Sequence, residues 1–245
     1  MKLPVTLTAP AKLTVSLRIT DTRDDGYHLI DAEMVSLDFA DVINLSEGSG
    51  VEVIAASGLN VPVGADNLVS RALAVAGAEA RAVIDKAIPA GAGLGGGSSD
   101  AAAVLAWAGI KDNLVAAGIG ADVAFCLRGG RARVTGIGEV VEPLAYVEKT
   151  FTLLTPPIGV STPLVYRAWD ELGGPSGDNG NDLEPAALSA FPELARWRDA
   201  LEALSDRSAR LAGSGGTWFV EGEVVGNVDG VSTRIARTVP ARRPN

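Results

Sequence analysis

The densest run of residues able to do chemistry is Pro89-Ala90-Gly91-Ala92-Gly93-Leu94-Gly95-Gly96-Gly97-Ser98-Ser99-Asp100. Consecutive backbone N–H groups in a Gly-rich turn that ends at a helix N-terminus form a cradle for phosphate, because the amide dipoles and the helix dipole present positive charge to one spot. Ser98, Ser99 and Asp100 are N-cap and first-turn residue types, and residues 101–108 form a helix-favouring run that Gly109 ends. The ligand read from residues 89–99 is therefore an anion. Gly91-x-Gly93-x-x-Gly96 also fits the dinucleotide-binding pattern, but Pro89 separates it from the preceding strand and no regular strand–helix–strand beat surrounds it. No Lys follows these glycines as a Walker A loop requires, which excludes a P-loop NTPase.

A second small-residue loop, Gly213-Ser214-Gly215-Gly216, runs from Arg210-Leu211-Ala212 into the apolar strand Trp218-Phe219-Val220, and it is placed to close against the first loop. Two charged residues stand apart from both loops. Lys12 sits on an alternating strand, where a solvated lysine is the ordinary outcome. Asp122, in Gly120-Ala121-Asp122-Val123, reads equally as a helix cap.

Residues 12–19 alternate strictly, which predicts a half-buried strand with Leu13, Val15, Leu17 and Ile19 inward and Lys12, Thr14, Ser16 and Arg18 on the other face. Asp24-Asp25-Gly26 reads as a turn, and strand-like pieces follow at 33–39, 42–45 and 51–54. Asp66-Asn67 caps a helix through Ala76, residues 80–88 read as a strand, Thr162-Pro163 opens a helix through Leu172, and residues 192–204 form an amphipathic helix. Late strands are predicted at 217–220 and 231–239. Strands and helices mix without a regular beat, so the fold class is α+β. The best boundary lies before the apolar strand Phe151-Thr152-Leu153-Leu154, giving domains 1–147 and 148–245 with one Gly loop in each.

Composition narrows the partners. With 245 residues and 47% hydrophobic content the chain can bury a real core, which rules out disorder as its main state. Its net charge of −9 supplies no basic field for a polyanion, so nucleic acid is not an expected partner. One Cys126 and one His28 are too few for a disulfide framework or a Cys/His zinc cage, and no apolar run is long enough to span a bilayer. A cytoplasmic protein without membrane association is expected.

The motifs in order, Pro10-Ala11-Lys12, Asp25-Gly26-Tyr27-His28, residues 89–100, Gly120-Ala121-Asp122-Val123, Asn181-Asp182-Leu183-Glu184 and Gly213-Ser214-Gly215, resemble the GHMP small-molecule kinases over nearly the whole chain. The Gly26-Tyr27-His28 turn and the Gly95–Asp100 form of the loop point to the branch acting on a cytidine diphosphate-linked methylerythritol in isoprenoid precursor synthesis. The resemblance implies a two-domain α+β fold, with an N-terminal ribosomal-protein-S5-domain-2-like domain and a C-terminal ferredoxin-like α/β sandwich. It implies ATP and Mg²⁺ as cofactors, a small-molecule acceptor, and a monomer or weak homodimer. Asp122 matches the catalytic aspartate and Lys12 its partner; Ser98 or Ser99 matches a metal or phosphate contact. Tyr27 and His28 match the cytidine site, with Tyr166 as its second aromatic wall, while Thr14, Gly213 and Ser214 fall on the acceptor side.

The chain departs from that pattern at three places. Position 14 is Thr where the family usually carries Asn, which shortens the reach toward the acceptor's hydroxyls. Residues 108–120 are short for the helices the family places there, and residues 221–229 leave no room for the usual helix after the last Gly loop. The alternatives are a GHMP kinase with a different small alcohol as acceptor, a nucleotide-binding paralogue without catalysis, and last a dinucleotide oxidoreductase.

Overall fold

The structure is a computed structural model that describes residues 1–55 and 66–241. Two long antiparallel strands, β1 (Val5–Thr22) and β2 (His28–Ser46), pair along almost their whole length through the turn at residues 23–27. The chain continues through β3 (Val51–Ala55), α1 (Leu68–Val75), β4 (Arg81–Lys86), α2 (Gly96–Trp107), α3 (Asn113–Ile119), α4 (Val123–Arg128), β5 (Arg131–Gly136) and β6 (Val140–Pro143). After these come β7 (Thr150–Leu154), α5 (Thr162–Glu171), α6 (Glu184–Ala190), α7 (Leu194–Ser205), β8 (Arg210–Leu211), β9 (Trp218–Glu221), the hairpin β10 (Asn227–Val228) with β11 (Val231–Ser232), and β12 (Arg234–Val239).

Strand β2 organises the first half, pairing β4 through residues 42–46 and β5 through residues 30–35. In the second half β12 pairs β7 and β7 pairs β9. The halves are sewn together by β12, whose Thr238 and Val239 lie opposite Leu37 and Ser36 of β2. The predicted strand at 231–239 is thus two pieces, and the segment after the second Gly loop is a hairpin rather than a helix. The short stretch at 108–120 folds as the seven-residue α3, capped by Asp112.

Strand β1 differs from its prediction in an instructive way. Strict alternation gives Leu13, Val15, Leu17 and Ile19 one inward face. The structure places Leu13 and Val15 in one apolar cluster and Leu17 and Ile19 in another. The cause is a register shift between Thr14 and Ser16, one of three along the β1–β2 ladder. A bulge adds one residue on one side and so turns every later side chain to the opposite face. The same strand can then bury residues 11–14 on both faces, including Lys12 and Thr14.

Helix α2 also starts earlier than its cap residues suggest. Its N-cap is Gly95 in the left-handed region, without a side-chain cap, so Ser98, Ser99 and Asp100 lie inside the first turns. By contrast, Asn67 caps α1 as read from sequence, accepting from the Val69 amide at 2.8 Å.

Candidate active site

The first glycine loop, residues 89–97, is built by alternation. Gly91, Gly93 and Gly95 have positive φ, while Ala92 and Leu94 between them are buried in an apolar cluster. The buried pair anchors the turn, and the glycines leave its backbone unshielded on the other side. Strand β1 supports it from behind, where the Lys12 amide donates to the Leu94 carbonyl at 3.0 Å. A Cβ on Gly95 would stand 2.6 Å from Lys12 Cγ, so the lysine side chain passes directly over this glycine.

The second glycine loop closes on the first, backbone to backbone. A Cβ on Gly93 would collide with the carbonyl oxygens of Gly215 and Ala212, and one on Gly216 would collide with Gly91 and Ala92. Gly213 lies beside Lys12 and Thr14: a Cβ there would be 3.6 Å from Lys12 Nζ and 3.3 Å from Thr14 Oγ1. Ser214 hydrogen-bonds Thr162 at 2.7 Å, hydroxyl to hydroxyl, tying this loop to the start of α5.

One cleft of about 330 Å³ is lined by every residue from Pro89 to Ser98 together with Lys12, Lys86, Asp122, Thr162 and Ser214. Lys12, only 4% exposed, donates to Thr14 Oγ1 at 2.9 Å and pairs with Asp122 Oδ2 at 3.0 Å. Asp122 occupies the N-cap position of α4 but makes no side-chain cap hydrogen bond, which leaves its carboxylate to the lysine. The cap reading and the solvated-lysine reading thus give way to a single pair joining segments 110 positions apart in sequence.

Two candidate residues stand differently from their sequence reading. Ser99 is buried and donates its hydroxyl to the Pro10 carbonyl at 2.6 Å, facing β1; Ser98 faces the cleft. Thr14 is 2% exposed, and its hydroxyl serves Lys12 rather than reaching outward.

Beyond Asp122 runs a line of rings. Burial raises the Tyr166 phenol well above its ordinary pKa, and the negative charge of Asp122 adds to the shift. His28 lies on Tyr166 with centroids 4.9 Å apart and meets Trp169 edge-on at 5.2 Å. Its Nε2 pairs with Asp170 at 2.7 Å. Tyr27 is 59% exposed, because the turn closed by Arg23 and Gly26 sends it outward just before β2 begins at His28. The structure therefore brings His28 and Tyr166 together and leaves the Tyr27 ring exposed.

Sequence reasoning assigned no role to Asn181, although it stands in the ordered motifs. Its buried amide donates to the carbonyls of Leu211 at 2.9 Å and Gly213 at 2.7 Å, while its own oxygen accepts from the Leu183 amide at 3.0 Å. The neighbouring Asp182 accepts from Arg18 and from the Ile19 amide, which fixes the same loop to β1. The only signal in the sequence was an Asn next to Asp in a loop, and that is a common turn pair.

No protein-family model matches the chain. A 4-diphosphocytidyl-2-C-methyl-D-erythritol kinase of Paracoccus denitrificans is 35% identical, covering 95% of this chain and 92% of the relative. The chain belongs to the 4-diphosphocytidyl-2-C-methyl-D-erythritol kinase family. A relative with the same name from Cereibacter sphaeroides is 37% identical over 86% of this chain and 87% of its own. A crystal structure of a 4-(cytidine 5'-diphospho)-2C-methyl-D-erythritol kinase superposes with a TM-score of 0.72 at 30% identity, covering 95% of this chain and 98% of that one. A mevalonate kinase structure, at 12% identity and TM-score 0.59 over 96% and 99% of the two chains, shares the fold alone. The fold is that of the GHMP kinases, and the family is one of small-molecule kinases.

Proposed function

We propose that the protein transfers the γ-phosphoryl group of ATP to the 2-hydroxyl of 4-diphosphocytidyl-2-C-methyl-D-erythritol, a step of isoprenoid precursor synthesis. The observation that carries this reading is the Lys12–Asp122 pair at 3.0 Å, held in the cleft that the phosphate loop lines. Phosphoryl transfer asks mainly for positioning and charge neutralisation, so a rigid anion cradle facing one carboxylate–ammonium pair is a sufficient apparatus.

In this mechanism residues 89–98 bind the nucleotide phosphates through backbone N–H groups and the start of α2. Asp122 orients the acceptor hydroxyl and takes its proton as the oxygen bonds to the γ-phosphorus and the bond to the β,γ-bridging oxygen breaks, releasing ADP. Lys12 pairs with the Asp122 carboxylate and offsets charge on the phosphoryl oxygens. Thr14 holds the ammonium in place from behind. His28 and Tyr166, whose rings stand together near Asp122, form the wall against which the cytosine would lie, with the exposed Tyr27 next to His28 in the chain.

Among the described residues no three His, Cys, Asp or Glu side chains gather around a metal position. Mg²⁺ keeps most of its shell for phosphates and water and takes one or two ligands from protein. Ser98 offers a cleft hydroxyl suited to hold it, and Mg²⁺ so bound would neutralise phosphate charge. No described helix is long and apolar enough to cross a membrane. A cytoplasmic monomer or weak homodimer, divided near residues 147 and 148, belongs to the same reading.

The test is ADP release from ATP and Mg²⁺ with this acceptor, comparing wild type with Asp122→Asn. Turnover that needs the acceptor and falls at least a hundredfold in the variant is the expected result. No turnover above the ATP-only background in folded wild type overturns the proposal. Turnover only with another small alcohol would replace the acceptor while keeping the kinase.

A further inference from the structure

The phosphate loop leaves β4 after Lys86 and ends where α2 begins, and beneath its two ends lies a buried cluster that the mechanism above does not use. Asp41 of β2, fully buried, accepts from the backbone amides of Ala87 at 2.6 Å and Ile88 at 2.8 Å with one oxygen and from Lys86 Nζ with the other. Lys86 Nζ also donates to Asp100 Oδ2 at 2.7 Å, and Asp100 stands on the first turns of α2. The ammonium thus bridges the strand that enters the loop and the helix that leaves it. A Cβ on Gly96 would lie 3.0 Å from Lys86 Nζ, so the first helical residue is a glycine where this crosslink passes.

We infer that Lys86, held by Asp41 and Asp100, is a positioning residue that closes the base of the phosphate loop and so sets the spacing of its phosphate-binding amides. This rests on the proposed nucleotide-binding role of residues 89–98. A loop fixed only at its chain ends keeps conformational freedom that must be lost when a phosphate binds; a crosslink under both ends removes part of that freedom beforehand. The cluster is also costly as a structural element alone. It places two carboxylates against one ammonium in the interior, and Asp100 Oδ1 is buried without a hydrogen-bond partner. Apolar residues of similar size commonly replace such clusters without loss of stability.

Asp100→Leu separates the two roles. It leaves Lys86 paired with Asp41 and cuts the tie to α2; because Asp100 also lines the cleft, exchange without nucleotide rather than KM alone separates loop closure from a direct contact. The expected result is a melting temperature no lower than wild type, a KM for ATP raised about tenfold, a KM for the acceptor within twofold, and faster amide hydrogen exchange across residues 89–97. Asp100→Asn keeps an oxygen for Lys86 and should bring KM for ATP and exchange back to within threefold of wild type. A folded Asp100→Leu protein with wild-type KM for ATP and wild-type exchange at 89–97 overturns the inference. So does a fall in melting temperature with no change in KM for ATP. If Asp100→Leu fails to fold, exchange at 89–97 in Lys86→Arg, which keeps the charge but changes the bridge length, decides in its place: unchanged exchange counts against the inference. Exchange is measured without nucleotide, so failure of the kinase reading would appear separately, as wild type that neither binds nor turns over ATP.

Discussion

Lys12 and Asp122 meet at 3.0 Å although one belongs to the first strand and the other to the turn before α4. What brings the ammonium to that spot is β1 being buried on both faces, with Thr14 Oγ1 accepting a second hydrogen bond from it. Lys12→Met should lower kcat by on the order of 10²–10⁴-fold, the range for loss of a proton-transfer arrangement, with a smaller effect on KM for ATP. Thr14→Val, which keeps shape but not the acceptor oxygen, should cost roughly tenfold in kcat, the worth of one hydrogen bond to a charged group. Steady-state ADP release measures both.

Gly93 has φ of +76° and touches the backbone of the second loop. Gly93→Ala combines a disfavoured conformation with a collision against carbonyl oxygens that cannot rotate aside. A stability loss of about 1–3 kcal/mol is expected from the conformation alone. Urea unfolding should show it, together with near-complete loss of activity at temperatures where the variant remains folded.

Asn181 offers two N–H bonds to two carbonyls of the second loop. Asn181→Asp replaces those donors by acceptors in a buried place, which leaves the carbonyls of Leu211 and Gly213 unpaired at a cost of about 1–3 kcal/mol each. The variant should melt lower and lose kcat. Asn181→Asp behaving as wild type in both would remove this brace from the account.

Tyr166→Ala should raise KM for the cytidine-bearing acceptor roughly tenfold, consistent with about 1–3 kcal/mol for an aromatic stacking contact, and leave KM for ATP within twofold. An equal rise in both constants would mean the ring supports the cleft as a whole.

Burial pushes the Asp100 carboxyl up to about 7, with Lys86 opposing and Asp41 adding to the shift. Its proton is therefore held in the folded protein where the unfolded chain has lost it, so this group's contribution to stability falls as pH rises from about 4 to about 7 and is level above that. Asp100→Asn removes this dependence. Relative to wild type the variant should gain stability steadily over that window in denaturant titrations at successive pH values, and a constant difference from pH 4 to 8 would contradict the assignment.

Much of this arrangement was legible in the sequence because it is local. The glycine turn that runs into α2, the Asn67 cap and the α5 start are fixed by neighbours within a few residues, and the structure has all three. The order of motifs identified Lys12 and Asp122, though neither residue carries a local signal. The β1 bulges were invisible, since an extra residue in a ladder is specified by the partner strand and not by alternation. The same holds for Ser99, which a capping pattern aims at the phosphate and packing turns toward Pro10. Lys86 and Asn181 escaped for a related reason, because their partners lie on other elements and a lone Lys or Asn is ordinary at each place.

Strand β12 has a consequence for the order in which the protein assembles. It follows every other described strand, yet its Thr238 pairs with Leu37, roughly 200 residues earlier, and such distant pairings make folding slow. During synthesis the first half can form its sheet around β2, with the Ser36 amide already held by Gly130, while Leu37 still lacks its β12 neighbour. The second glycine loop is tied to β1 beforehand through Asn181 and Asp182, so β12 adds the last join between the two sheets rather than setting the loops' spacing. Until β12 arrives, the stretch of β2 at Leu37 offers a short open edge to a passing strand, and the nascent protein is exposed to mispairing there.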